Sequence, residues 1–219
     1  MKKILSVIIV VIFNIPTYAQ DSNKSLGFEF SPTVTFLRGN SIVDHNDARV
    51  SFSSGLSFEY FINSMISIKS GLGYERKGTQ SKNAFTDEFG NIIGDAGGKT
   101  NYNYLILPIM GSFSTKGRTK FYLNLGQYFG FLINAKTIVK SASLQPNSID
   151  VDETDSSKRL DLGLTFGLGF NIPLGNKLLL DFGLRENYGL FNISKVNVID
   201  NGTIKTNSIG IQMGLKFKL

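Results

Sequence analysis

Residues 208–219 read SIGIQMGLKFKL and alternate strictly between two kinds of side chain. The odd-numbered positions are all large and apolar, whereas the even-numbered positions are small, polar or basic. In an extended strand a period of two places the two sets on opposite faces, whereas a helix would scatter both sets around its circumference. The end of the chain therefore predicts a β-strand with one apolar and one polar face.

The same alternation occurs in seven further segments, which makes eight predicted strands. Those segments are residues 26–36, 50–62, 66–77, 105–113, 121–133, 160–172 and 178–190. Ile106, Pro108 and Met110 fall on the polar face of the fourth strand. Because proline cannot donate a hydrogen bond to a strand ladder, we predict a bulge near Pro108. Glu186 falls on the apolar face of the seventh strand, where we expect an interfacial depth at which a charge costs little.

The connections between these strands alternate in length. The short ones are residues 63–64, 114–118 and 173–176, and the long ones are residues 38–48, 79–99, 135–157 and 193–203. Tight turns at one end and longer loops at the other are typical of outer-membrane barrels, whose turns face the periplasm. The sequence therefore predicts an all-β fold, an eight-stranded antiparallel up-and-down transmembrane β-barrel with short periplasmic turns and four longer external loops.

Composition favours a membrane barrel over a soluble lipocalin-like barrel, in which the apolar face would point inward. Charged residues make up only 18% of the chain, below the usual level of roughly 25%. The polar face carries both charge signs, so we expect ion pairs inside a narrow barrel rather than an open pore. The expected lumenal charges are Glu29, Glu59, Glu75, Asp161, Asp181, Lys69, Lys77, Arg159, Arg185, Lys216 and Lys218. The expected interfacial aromatic residues are Tyr60, Tyr74, Tyr102 and Tyr188.

The beginning of the chain predicts a secretory signal peptide. Lys2 and Lys3 precede an apolar run that ends at Ile15, and small residues stand at Thr17 and Ala19. The alternative, a membrane anchor, would need about 20 apolar residues. We expect residues 1–19 to be removed and residues 20–219 to form the barrel domain. Loss of two lysines lowers the formal charge from +6 to +4, which leaves no case for a nucleic-acid partner.

Three motifs that resemble functional sites have simpler interpretations. His45, the only histidine, lies in a predicted loop beside Asp44 with no nucleophile held against it, so we predict no catalytic role. Residues 94–100, GDAGGKT, are one residue short of a phosphate-binding loop and precede a strand, so we interpret them as a flexible loop. The acidic residues 150–155, DVDETD, lack the EF-hand glycine, so we interpret them as a solvated loop, with cation binding left as the alternative.

Three short motifs resemble the PorT-like outer-membrane β-barrel family of Bacteroidetes. Residues 18–20 read YAQ, residues 71–78 read GLGYERKG, and residues 103–109 read NYLILPI. Ile106 departs from the acidic or amide residue that the family often has at this position. The resemblance implies an outer-membrane barrel without a catalytic apparatus. Some members of that family support protein secretion or gliding, a role that these motifs alone do not transfer.

We therefore predict an integral outer-membrane barrel with a structural, adhesion or complex-assembly role. We predict no catalytic, cofactor-binding or metal-binding residues, and the absence of cysteine excludes thiol catalysis and disulfides. The expected partners are outer-membrane lipids and, through the external loops, other envelope proteins, and we expect a monomer. The alternative function is binding of a small apolar ligand or lipid between lumen and rim. A lipid-modifying enzyme is the third hypothesis, disfavoured by the lack of a base and nucleophile pair.

Overall fold

The structure is a computed structural model that describes residues 23–86, 92–141, 148–198 and 201–219. The predicted signal peptide, residues 1–19, lies outside the described residues. Nine strands and one short helix are present in the described part of the chain. They are β1 (Lys24–Arg38), α1 (Ser41–Asp44), β2 (Arg49–Phe61), β3 (Ile66–Thr86), β4 (Ile92–Ser114), β5 (Lys120–Ser141), β6 (Ile149–Asp152), β7 (Leu160–Pro173), β8 (Leu178–Gly189) and β9 (Lys205–Lys218).

Eight of these strands close into an antiparallel barrel. The strand order around the sheet is β4, β3, β2, β1, β9, β8, β7, β5, and pairing of β4 with β5 closes the ring. The first and last strands are neighbours, with Leu26 opposite Phe217 and Val34 opposite Ile209. The short strand β6 lies outside the ring and pairs with the end of β5. The prediction of an eight-stranded up-and-down barrel is confirmed.

Three strands are much longer than a membrane crossing requires. The strands β3, β4 and β5 contain 21, 23 and 22 residues, whereas a tilted membrane strand needs about 9–11. Their upper parts pair with one another beyond the barrel, from Thr79 opposite Thr100 to Phe85 opposite Gly94. With β6 they form a four-stranded sheet above the rim, which we call the external sheet (residues 79–86, 92–100, 136–141 and 149–152).

The external sheet corrects two predictions. Residues 79–99 and the first part of 135–157 were predicted to be loops, but most of them are paired strands. Residues 94–100 lie within β4 rather than in a flexible loop, because the backbone of Gly97 is paired with Lys82 on one side and Lys140 on the other. Outside the membrane, strand pairing needs no apolar face, so this part of the sequence lacks the alternation that reveals the barrel strands.

The ladder between β4 and β5 contains a bulge, but it does not lie at Pro108. The register of β4 against β5 shifts between Asn103 and Tyr104. Asn103 lies opposite Asn134 and Tyr104 lies opposite Leu132, which leaves Ile133 as an extra residue in β5. Across Pro108 the ladder between β3 and β4 keeps its register, passing from Ser70 opposite Ile109 to Gly73 opposite Ile106. The prediction of a bulge at Pro108 was therefore wrong. The extra residue re-aims the end of β5, so that Leu132 and Ala135 both point inward.

The barrel presents its apolar face outward. Large apolar side chains cover the outer surface, with exposed fractions as high as 76% at Val50 and 64% at Leu56. Most of the inward-pointing residues are polar or charged and buried, which is the reverse of a lipocalin-like barrel. The soluble alternative is therefore wrong.

Two side chains lie elsewhere than predicted. Arg159 precedes the first residue of β7, so it is exposed above the barrel wall, and its Nη2 lies 4.0 Å from Oδ1 of Asp155. Tyr102 belongs to the inward-facing positions of β4 and is buried, so it does not contribute to an interfacial aromatic belt. The other three tyrosines, Tyr60, Tyr74 and Tyr188, occupy outward-facing strand positions. Lys218 ends β9 and is half-buried.

Candidate functional site

The lumen near the short turns contains a cluster of buried charges, which we call the lower ion cluster. Its members are Glu29, Glu59, Lys69, Asp181 and Lys216. The Nζ atom of Lys69 lies 2.6 Å from Oε1 of Glu29 and 3.7 Å from Oδ2 of Asp181. The Nζ atom of Lys216 lies 2.9 Å from Oδ2 of Asp181 and 3.3 Å from Oε2 of Glu59. Two lysines thus link three carboxylates across the barrel.

Neutral side chains donate hydrogen bonds to two carboxylates of this cluster, Asp181 and Glu59. The Tyr122 hydroxyl donates to Oδ1 of Asp181 at 2.7 Å, and the Gln212 amide donates to Oδ2 at 3.2 Å. The Ser67 hydroxyl donates to Oε1 of Glu59 at 2.6 Å. Buried charges are tolerated when they are paired and their remaining lone pairs are hydrogen-bonded. The cluster therefore serves as a polar core, in agreement with the structural role that its charges predict.

A middle layer connects the lower ion cluster to the upper lumen. Arg185 donates from Nη1 to Oε2 of Glu29 at 3.3 Å and from Nη2 to the hydroxyl of Ser53 at 3.1 Å. Above it, Glu75 accepts from the Asn187 amide at 2.9 Å and from the Ser208 hydroxyl at 2.6 Å. These contacts join strands that are not neighbours in the ring, β8 to β1, β2 and β3 and also β3 to β9, so the network braces the wall across the lumen.

Among the described residues, one buried ion pair occupies the upper lumen. The Nζ atom of Lys77 lies 3.0 Å from Oδ2 of Asp161, and both side chains are fully buried. The Thr206 hydroxyl donates to the same oxygen at 2.7 Å, and the Tyr128 hydroxyl lies 3.1 Å from it. The ammonium group also lies 4.0 Å from the centroid of the Tyr128 ring, a cation–π distance. Every side of this pair is therefore in contact with protein.

Above the upper ion pair, the lumen is closed by apolar side chains. This apolar cap consists of Leu37, Tyr102, Tyr104, Ile106, Tyr128, Leu132, Ala135 and Ile193, with Val43 and Ile204 packed against it. The inward stripe of β4 supplies three of its members, which explains why Ile106 interrupted the polar face in the sequence. Met110 lies on the same stripe outside the cap and is buried against Thr165. Ile106 on the polar face was visible in the sequence, but beside Pro108 it indicated a proline-induced irregularity. The residues of other elements that pack against it, such as Leu37 and Ile193, are distant in the sequence.

The filled lumen leaves little free volume. A cavity of about 30 Å³ lies beside Glu29, Lys69, Glu75 and Arg185. This volume is of the order that one or two water molecules occupy. A lipid or another apolar ligand does not fit there, so the described lumen supports neither an internal ligand site nor a wide pore.

The structure places His45 at the end of α1, away from the lumen. His45 is exposed, and its Nδ1 contacts the backbone carbonyl of Ser41. The neighbouring Asp44 accepts from the backbone N–H of Gly39 at 2.9 Å instead of orienting the imidazole. This geometry lacks the base-orienting contact that an activated nucleophile requires.

The carboxylates of residues 150–155 point to different partners. Asp150 lies 2.5 Å from Nζ of Lys136, and Asp152 accepts from the backbone N–H of Thr154 at 2.8 Å. Hydrogen bonds from the side chain and backbone of Thr154 lower the pKa of Asp152. Asp155 faces Arg159. Within the described residues, no three metal-binding side chains converge, and no helix is long and apolar enough to cross a membrane.

A family model described as an outer membrane protein beta-barrel domain matches residues 18–195. The chain belongs to this family. As an outer-membrane barrel, it is located in the outer membrane, with its short turns toward the periplasm and its long connections outside. The match ends before β9, which the structure nevertheless shows closing the ring against β1.

Several solved outer-membrane barrels are similar to this barrel. Neisserial surface protein A is 16% identical, with a TM-score of 0.49, and the match covers 90% of this chain and 98% of that one. Ail, the attachment invasion locus protein of Yersinia pestis, is 13% identical, with a TM-score of 0.42 and coverages of 90% and 100%. The N-terminal barrel of Pseudomonas aeruginosa OprF is 11% identical, with a TM-score of 0.46 and coverages of 90% and 98%. The comparison with curated proteins finds no match.

Proposed function

We propose that this outer-membrane barrel is a docking module, which binds another envelope or extracellular protein through its external sheet. The observation that carries the proposal is the division of the molecule into a filled barrel and a sheet that extends beyond it. The lumen holds buried ion pairs and an apolar cap, so transport through it has no path. The sheet exceeds what anchoring requires, so its extension is the part available for a partner.

The edge strand β6 is the part of the external sheet best suited to a partner. All four of its residues are exposed, including the apolar Ile149 and Val151. Its pairing with β5 runs from Lys136 opposite Asp152 to Val139 opposite Ile149. No strand among the described residues pairs with its other edge, which leaves that edge for strand addition. The acidic residues Asp150 and Asp152 alternate with the apolar pair, which protects the edge from indiscriminate pairing.

Site-specific photo-crosslinking in native membranes tests this proposal. A photoreactive residue replaces Val151 in one variant and Lys177, at a short turn, in the matched control. We expect a discrete crosslinked band for the first variant, and we expect it to disappear when Asp150 and Asp152 are both changed to Lys. Crosslinks that form equally at Val151 and Lys177, or that survive the charge reversal, would contradict the proposal.

The PorT-like assignment is a finer proposal within the outer-membrane barrel family. Two of the motifs that suggest it meet in space, since the Tyr74 hydroxyl and Nε of Arg76 both donate to Oδ1 of Asn103. The Asn103 amide in turn donates to Asn134, beside the bulge at Ile133. This contact supplies a physical reason for the motif residues to occur together.

Export and oligomeric state belong to the same proposal. Cleavage after Ala19 would leave Gln20 as the first residue, and N-terminal sequencing of the membrane-extracted protein tests it. A monomer is the state expected of a closed barrel with no unpaired wall strand. Light scattering in detergent that gives twice the monomer mass would contradict it.

A further inference from the structure

The external rim contains a second candidate site, on the opposite side of the barrel from β3 and β4. The strand β7 begins at Leu160, β8 ends at Gly189 and β9 begins at Lys205, and these three ends are neighbours in the ring. The segments that flank them border an open groove of about 690 Å³, which we call the rim groove. It is lined by Lys158, Arg159, Leu160, Leu190, Phe191, Asn192, Lys195, Thr203 and Lys205.

The rim groove is strongly cationic. Four of its lining residues, Lys158, Arg159, Lys195 and Lys205, are basic, and the lining residues in the described part of the chain include no acid. Arg159 lies 4.0 Å from the Asp155 carboxylate, at the outer limit of an ion pair, and the Asp155 side chain is fully exposed. Lys195 donates to the backbone carbonyl of Asp155 rather than to a carboxylate. The positive charge of the groove is therefore largely uncompensated by the described residues.

Apolar side chains stand beside these cations. Leu160, Leu190 and Phe191 are exposed, and Leu160 continues the lipid-facing row of β7 that includes Leu164. A ligand in the groove would thus contact cations at its outer end and the apolar belt of the barrel at its inner end. That combination matches an amphiphile whose headgroup is anionic, and it does not match a fully polar anion.

The groove walls are held by hydrogen bonds and need no ligand to form. The backbone N–H of Lys158 donates to Ile193 at 2.7 Å, and that of Lys195 donates to Ser156 at 3.0 Å. Oδ1 of Asn192 accepts from the backbone N–H groups of Ser194 and Ile204, at 3.0 and 2.9 Å. The basic side chains therefore project from a preformed wall, which lowers the entropic cost of binding.

We propose that the rim groove binds the phosphorylated headgroup of a lipid in the leaflet that surrounds the external end of the barrel. The phosphate groups contact Lys158, Lys195 and Lys205, while the acyl chains follow Leu160 down the outer wall. The site is independent of the external sheet, so its failure would leave the docking proposal unaffected.

Native mass spectrometry of the full-length protein in detergent, titrated with diphosphoryl lipid A or with phosphatidylcholine, tests this proposal. The test variant carries Lys158→Gln, Lys195→Gln and Lys205→Gln. The matched control carries Lys116→Gln, Lys120→Gln and Lys177→Gln at the short turns and so loses the same charge. We expect the wild type to bind lipid A at least tenfold more tightly than phosphatidylcholine, the test variant to lose this preference, and the control to keep it within twofold.

Three results would overturn the proposal. One is unchanged lipid A binding by the test variant, and another is an equal loss in the control. The third is complete displacement of lipid A by millimolar inorganic phosphate, which would make the groove a site for free anions. Heat-modifiable gel migration shows whether the test variant folds, and if it does not, the single variant Lys195→Gln, whose Nζ contacts only a carbonyl among the described residues, replaces it.

Discussion

At the scale of single residues, the buried charges of the lumen depend on their ion-pair and hydrogen-bond partners for stability. The odd or even position of each residue along its strand predicted which charges point inward, because inward and outward positions alternate. The pairing of Lys77 with Asp161 could not be predicted, since it depends on the tilt and stagger of strands on opposite sides of the barrel. Sequence analysis also misplaced Arg159, because one residue decides whether a side chain lies in the wall or above it.

Removal of one partner from the upper ion pair tests its energetic role. We expect Asp161→Ala to lower the free energy of unfolding by about 3–5 kcal/mol, because Lys77 would remain buried without a carboxylate. Urea unfolding in lipid vesicles, followed by tyrosine fluorescence, measures the change. The control Asp155→Ala removes an exposed contact and should change the value by less than about 1 kcal/mol.

A second variant separates the loss of a partner from the loss of packing. The double variant Lys77→Met with Asp161→Leu replaces the ion pair by apolar side chains and should recover most of the stability. A double variant as unstable as Asp161→Ala would show that the hydrogen bonds from Thr206 and Tyr128, rather than the charge pair, stabilise this layer.

At the scale of elements, the membrane-spanning parts of the strands were predictable and their extensions were not. Lipid on one side and a polar lumen on the other impose a period of two, which residues 208–219 show most clearly. The extensions of β3, β4 and β5 lie beyond the membrane-spanning wall and lack a regular alternation of apolar and polar residues, so their sequence, which includes Gly94, Gly97 and Gly98, resembles a loop. The apolar cap was partly visible in Ile106 but needed Leu37 and Ile193 from other elements to be recognised.

Gly78 controls the passage of β3 from the barrel into the external sheet. Its φ is +153°, and a Cβ there would lie 1.9 Å from the carbonyl oxygen of Thr100. We expect Gly78→Val to separate the base of the external sheet and to raise amide hydrogen exchange in residues 79–86 at least tenfold, because strand pairing there would be lost. The matched control Gly97→Val places its Cβ 3.5 Å from Ser81, an ordinary contact, and should leave the exchange rate of these residues within threefold. Equal exchange in the two variants would contradict the prediction.

At the scale of the whole molecule, two barriers close the barrel in series. The lower ion cluster closes the end near the short turns, and the apolar cap closes the external end. Eight strands enclose an interior that side chains just fill, so this closure was predictable from the strand count alone. Its division into an ionic and an apolar layer was not, because it depends on which loops fold over the rim.

Planar bilayer conductance tests the closed state. We expect the wild type to give no discrete current steps at 1 M KCl. The variant that carries Tyr104→Ala and Ile106→Ala should also give none, because the lower ion cluster still closes the barrel. Regular steps from the wild type would contradict a filled lumen. Steps from the double variant alone would show that the apolar cap is the sole barrier.

The lumenal ion pairs also affect the order in which the barrel is assembled. Four of them join early strands to late ones: Glu29 to Arg185, Glu59 to Lys216, Lys69 to Asp181 and Lys77 to Asp161. Glu29 can pair with Lys69 within the first four strands, but Glu59 and Lys77 have their charged partners in β9 and β7, and dehydrating them before those strands arrive would be costly. Closure is thereby coupled to completion of the chain. A barrel truncated during synthesis would keep unpaired strand edges and hydrated charges. An incomplete barrel therefore differs from a finished one in its exposed polar surface.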